Sequence, residues 1–157
     1  MIRKLAPLFA ALMIASPALA QNANAVSLSS DVMVERTVTG TDGRSSVTLE
    51  EPRVVVPGDH LVFVLRYRNN GAQPAGAFVV TNPLPAAVAF QGTADASASV
   101  SVDGGRNWGA LSTLEISNAD GTKRPARSED VTHIRWAFAE AIPAGQAGRL
   151  MFRGIVR

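Results

Sequence analysis

The sequence predicts an all-β chain folded as a single β-sandwich, on three observations. Leu61, Phe63, Leu65 and Tyr67 stand on every second position, as do Ile134, Trp136 and Phe138, so an extended chain puts each set on one face. Turn-forming clusters cut the chain at short intervals, among them Pro57-Gly58-Asp59, Asn69-Asn70-Gly71, Asn118-Ala119-Asp120-Gly121 and Pro143-Ala144-Gly145. In these, glycine and asparagine admit left-handed backbone and proline withholds a donor. After Ala20 no window holds apolar residues at spacings of three and four with caps, so few or no helices are expected.

At the N-terminus, Arg3 and Lys4 precede an apolar run from Leu5 to Ile14, and Ser16-Pro17-Ala18-Leu19-Ala20 offers small residues where a signal peptidase reads. Residues 1–20 are therefore expected to be a secretory signal peptide. The run falls short of the roughly 18 apolar residues of a membrane span, and Pro17 ends it. Cleavage after Ala20 leaves Gln21 first, with no cysteine at the junction to carry a lipid, and addresses the product to the periplasm or the cell exterior. Of the 15 Lys and Arg, Arg3 and Lys4 leave with the leader, so the remaining cations balance the 13 Asp and Glu. That balance removes the charge argument for nucleic acid or an anionic membrane as partner. The chain has no cysteine, so its stability is expected to rest on core burial without disulfides, which a chain of this length can supply as one domain.

Residues 21–30 are small, polar and without periodicity, and read as a flexible lead-in whose deletion is expected to leave the melting temperature nearly unchanged but to weaken partner or self-association. The sandwich is expected over 31–157. Val32, Val34 and Val38 predict a first strand to about Thr39, ended by Gly40-Thr41-Asp42-Gly43; Val47 and Leu49 predict a second. Pro57-Gly58-Asp59 then reverses the chain into the alternating strand, which puts His60, Val62, Val64, Arg66 and Arg68 on its solvent side. Ala77 to Thr81 predicts another strand, stopped by Asn82-Pro83-Leu84-Pro85. Val88 with Phe90, and Val100 with Val102, predict two short strands; Leu111, Leu114 and Ile116 predict one more, followed by a charged loop over Lys123 to Asp130. The last two strands carry Ile134, Trp136 and Phe138, then Leu150, Phe152 and Val156 inward, with Arg149, Arg153 and Arg157 flanking.

Ser101-Val102-Asp103-Gly104-Gly105-Arg106-Asn107-Trp108 has the spacing Ser-x-Asp-x-Gly-x-x-Trp. It resembles the Asp-box hairpin of sialidases and other propeller proteins, in which the aspartate ties down loop amides and the aromatic ring packs on its own hairpin. An ordinary Gly-Gly hairpin with a core tryptophan assigns these residues nearly the same structural work. A single copy is too few for a propeller.

Val56-Pro57-Gly58-Asp59, the strand ending Arg68-Asn69-Asn70-Gly71, Val79-Val80-Thr81-Asn82-Pro83-Leu84-Pro85 and Ile142-Pro143-Ala144-Gly145 together resemble a bacterial and archaeal surface-repeat domain known as domain of unknown function eleven. The resemblance covers Asp31 to the end. It implies an immunoglobulin-like sandwich of about seven to nine strands, here in single copy where the family is usually arrayed, and it brings no catalytic residue. Asn82 stands where the family has an aspartate, and Ala87 where a glycine is frequent, so calcium or a cross-link at that aspartate is not expected. A Lys-Asn isopeptide bond is not expected either, because Lys123, the only lysine after the leader, reads as exposed loop.

The chemistry-bearing residues point away from catalysis. Cysteine nucleophiles are absent, no serine sits in Gly-x-Ser-x-Gly, and His60 and His133 read as solvent-side strand residues without the partners of a zinc site. Asp42, Asp103 and Asp120 offer hard oxygen from separate loops, without the spaced pattern of a calcium loop. Adjacent residues of a strand face opposite ways, so Glu50-Glu51 and Glu129-Asp130 are not placed for two-carboxylate work. The expectation is an exported, non-enzymatic envelope module with no catalytic, cofactor or metal residues, binding a protein or surface component through loops or an edge strand. Self-association by edge strand is one form of this, and the arginines of the last strand read equally as guards on such an edge. A carbohydrate-binding domain is the alternative if Trp108 or Tyr67 presents an open ring. A hydrolase requires His60 or His133 within reach of a serine.

Overall fold

Strand β3 (His60–Asn69) forms where the alternation is cleanest, and the computed structural model, which describes residues 25–157, places it at the centre of a five-stranded sheet. Its neighbours are β1 (Val26–Thr39) and β10 (Ala147–Val156), with β2 (Ser45–Glu50) beyond β1 and β5 (Val88–Gly92) beyond β10, all antiparallel to their partners. A second sheet sets β9 (His133–Ala137) between β4 (Val79–Pro83) and β6 (Ala98–Ser101). The two sheets make the expected β-sandwich, mostly strand and without an α-helix among the described residues. The expected leader and positions 21–24 lie outside those residues.

The core forms where the inward faces meet. Leu61, Phe63 and Leu65 of β3 and Leu150 and Phe152 of β10 pack against Val80, Val100, Ile134 and Trp136 of the second sheet, and Ile134 and Trp136 are fully buried. Phe63 and Phe152 are register partners on neighbouring strands and stack with centroids 4.4 Å apart and rings nearly parallel. Trp136 meets Phe152 at 6.1 Å from the other sheet. At the end of the sandwich near Asn69, Tyr67, Phe78 and Phe138 form a half-buried aromatic cluster, with Tyr67 edge-on to Phe138 at 5.0 Å. Two glycines of β10 make room for this packing. A Cβ at Gly148 would collide with the Tyr67 hydroxyl, and one at Gly154 with Val88 Cγ1.

The turn motifs have structural work. The buried Asn69 amide donates to the carbonyls of Gln73 and Ile142 at 2.9 and 2.8 Å and accepts from the Gly71 amide at 2.9 Å. It thereby ties the Asn69-Asn70-Gly71 turn to the distant Ile142-Pro143-Ala144-Gly145 segment. At the other end, Asp59 closes the Pro57-Gly58 turn by accepting from the Val56 amide, and it pairs with Arg36 of β1 at 2.5 Å. That ion pair anchors the segment 51–59, which must carry the chain from β2 past β1 to β3.

Several expectations are corrected. Val26 to Ser30, expected as a flexible lead-in, belong to β1 and pair with Leu65 to Asn69, because β3 supplies the ladder that the short polar stretch could not announce. Val62 and Val64, expected on the solvent side, are as buried as their neighbours. The last strand is an edge only in part: β10 lies between β3 and β5 over Arg153–Val156, whereas over Ala147–Phe152 no strand of the described residues lies on the side away from β3, so Arg153 guards no open ladder and Arg149 stands on the open half. Leu111, Leu114 and Ile116 do not share one strand. Leu111–Thr113 is a 3₁₀ turn, and β7 (Glu115–Ser117) pairs with β8 (Lys123–Pro125) in a small ribbon outside the two sheets. The charged loop is thus partly strand, stapled by Lys123 to Glu115 at 3.3 Å, and Ser128–Asp130 makes a second 3₁₀ turn.

Candidate interaction face

Every loop aspartate weighed for calcium is spent on its own turn. Asp103 Oδ1 accepts from the Ser101 hydroxyl and from the amides of Arg106 and Asn107 at 2.8 to 3.0 Å, and Oδ2 accepts from the Asn107 side chain at 2.6 Å. These bonds, the Asn107 amide first, hold its carboxyl well below the ordinary carboxylate range. Asp120 accepts from the amide and hydroxyl of Thr122, which lowers its pKa too, and Asp42 accepts from the Arg44 amide. Among the described residues no group of three His, Cys, Asp or Glu could hold a metal ion.

Trp108 sits as the motif's spacing implies. Its Nε1 donates to the Gly105 carbonyl at 2.9 Å, the Arg135 guanidinium lies 4.1 Å over its ring, and the His133 ring meets it edge-on. Trp108 and Tyr67 are both half-buried in packing, so neither presents the open platform that sugar stacking needs. His133 Nδ1 bonds the Thr132 hydroxyl at 3.0 Å, and His60 is exposed; no hydrogen bond joins either to a serine among the described residues. Of the acidic pairs, Asp130 is clasped by Arg124 through two bonds of 2.6 and 2.7 Å, which lowers its pKa, while Glu129 pairs with Arg127. Glu50 accepts from Thr48. Lys123 pairs with Glu115 at the surface. These positions are brought to no common site.

What the structure does bring together is the outer face of the five-stranded sheet. Opposite residues of paired strands share a face, so the register places Val47 and Leu49 of β2, Met33 of β1, Val62 and Val64 of β3 and Met151 of β10 side by side across four strands. Val62 and Val64 are 4% and 7% exposed, whereas Val47 is 65%, Leu49 49% and Met151 39% exposed. A depression of about 430 Å³ lies here, lined by Leu49, Val62, Thr93, Ala94 and Met151. An antiparallel sheet facing only water would show a polar face.

Charge frames this apolar centre. Arg153 of β10 reaches over β3 to Glu35 of β1 at 3.2 Å, and Asp31 of β1 pairs with Arg66 of β3. At the same end as Arg66, Arg149 stands directly opposite it in the ladder and Arg68 opposite Ala147. Like charges directly opposite destabilise a sheet, and one carboxylate, Asp31, meets this group of three arginines. One sequence signal foretold the doubled burial: Leu61-Val62-Phe63-Val64-Leu65 is five apolar residues in a row, the pattern of a strand covered on both faces. The cross-strand assembly of the face carried no signal, because its members come from segments far apart in the chain.

A second apolar surface lies at the Asp59 end, where Val54, Val55 and Val56 are exposed beside a depression of about 360 Å³ reaching Leu61 and Phe63. No helix of the described residues is long and apolar enough to cross a membrane. No family model, curated protein or solved structure matches this chain.

Proposed function

We propose that the domain is a non-enzymatic interaction module of the cell envelope, which docks a protein partner on the outer face of its five-stranded sheet. The observation that carries this reading is the exposed apolar set of Val47, Leu49 and Met151, seated with half-buried Met33 over the buried Val62 and Val64, beside the Arg66, Arg68 and Arg149 group. An apolar patch rimmed by charge is the usual mark of a protein contact, and arginines in excess favour an acidic counterpart. The expected leader supplies the envelope address, and the resemblance to a surface-repeat domain agrees with a binding role. Neither the carbohydrate nor the hydrolase alternative gains support, since the rings are engaged in packing and the histidines lack a serine partner.

The test compares the wild-type domain with Leu49→Lys/Met151→Glu as affinity baits on envelope extract, the lysine standing opposite Glu35 in the ladder. Both substituted side chains are exposed, so the variant is expected to keep the wild-type melting temperature. A partner held by the wild type and lost by the folded variant is the expected result. A partner held equally by both overturns the face assignment.

A further inference from the structure

We propose that two copies of this chain associate edge to edge, through antiparallel pairing of the Ser27–Met33 stretch of β1 with itself. β1 uses its two sides unequally. Its first part, Val26 to Val34, is paired to β3 on one side, and its second part, Val34 to Thr39, to β2 on the other. The side of Val26–Met33 away from β3 therefore has no strand against it among the described residues, and Ser27, Leu28, Ser29, Ser30 and Asp31 are exposed. Alternate backbone groups along it are left to solvent. The stretch lacks the usual edge protections of proline, lysine or a bulge, and its one charge, Asp31, is paired with Arg66.

The shape of this opening selects its occupant. Glu50 opposes Val34, so β2 closes one end, and a strand laid in the opening runs in line with β2 and stops there. A second copy meets the same limit from its own β2. If a two-fold axis perpendicular to the sheet passes through Ser30, the inward faces of both copies stay on one side and each ladder uses Ser27 to Met33, the open stretch up to both β2 ends. That register sets Leu28, 49% exposed in one copy, against Val32 of the other on the inward face. On the outward face Ser29 meets Asp31, a hydroxyl facing a carboxylate. Ser30 meets Ser30 on the axis, with no bulk to hold the backbones apart. The result is one continuous sheet of ten strands, two five-stranded sheets joined. A seven-residue ladder is a small interface, so the association is expected to be reversible and concentration-dependent.

The edge meets the apolar set of the outer face only at Met33, and Ser30 lies on the inward side of the sheet, so the inference stands apart from the proposed function. Its test is the solution mass of the purified domain across a concentration series, by sedimentation or light scattering. The wild type is expected to move from monomer towards dimer as concentration rises. Ser30→Lys places like charges opposite each other on the axis and is expected to weaken association by roughly tenfold, as is Ser30→Asp. Because Ser30 is exposed, both are expected to keep the wild-type melting temperature. An equimolar mixture of the two variants is expected to regain the dimer, since lysine then faces aspartate. A wild type that stays monomeric at every concentration overturns the proposal. So does a Ser30→Lys domain that dimerises as well as the wild type, or a mixture that stays monomeric while the wild type dimerises. Retention of an envelope partner by the monomeric variant bears on the face alone.

Discussion

Asn69 shows how much one side chain can decide. It is fully buried, and its amide satisfies the carbonyl of Gln73 and the amide of Gly71 and adds a second bond to the Ile142 carbonyl, which also accepts from the Ala75 amide. A buried backbone group left without a partner costs about 1–3 kcal/mol. Asn69→Ala is therefore expected to lower the unfolding free energy by about 1–3 kcal/mol, measured by denaturant titration. A change below about 0.5 kcal/mol would show that the turn and the Ile142 segment hold together without this link. The same logic explains why the loop aspartates are poor cation ligands: Asp103 already accepts four hydrogen bonds from its own turn. The spacing of Ser101, Asp103 and Trp108 made that turn legible from the chain. The amide of Asn69 reads in sequence only as a turn former, because its second partner lies 73 residues away.

Strand β1 is the element on which sequence and structure differ most. Its inward positions, Val26, Leu28, Ser30 and Val32, alternate correctly, but Ser29-Ser30-Asp31 interrupts the apolar signal, and a polar edge gives periodicity little to register. Pairing with β3 overrides that weakness, since the ladder from Val26 to Val34 is supported by the most buried strand in the molecule. Deleting Gln21 to Ser30 removes five residues of that ladder, Val26 to Ser30. It is expected to lower the melting temperature by about 10 °C or more, the shift of a few kcal/mol in a domain of this size. Thermal melts of the truncated and full domains decide it, and an unchanged transition would restore the lead-in as a mere arm. β10 carries the complementary lesson. Its alternation of Leu150 and Phe152 with Arg149 and Arg153 was plain in the chain, yet only the register reveals that those arginines lie on an outer face beside β3.

At the scale of the molecule, the carboxylates act together. Asp59, Asp103, Asp120 and Asp130 are all held below the ordinary carboxyl value of 3.8, Asp59 and Asp130 chiefly by Arg36 and Arg124, the others by hydrogen bonds of their turns. A depressed folded-state pKa stabilises the fold fully above the unfolded value and loses that contribution as pH falls through the folded one. The melting temperature is therefore expected to hold from about pH 8 to about pH 5 and to decline below about pH 4. Asp59→Asn is expected to start from a lower melting temperature and to show a shallower acid decline. A melting temperature constant down to about pH 2 would mean that these ion pairs and turns give the folded carboxylates no advantage.

The chain by itself determined the strand class, most strand positions, the turns and the inward sides of β3, β9 and β10, because side-chain alternation and turn chemistry are local properties of consecutive residues. Only the tertiary structure decided which strands are neighbours, that both sides of β3 are buried, that β10 is interior only in its second half and that, among the described residues, the first half of β1 is an open edge. It also decided that Leu49, Met33, Val62 and Met151 share one surface with the arginines. Each of these depends on register between segments remote in sequence, and a strand's second face has no environment until its neighbours are in place.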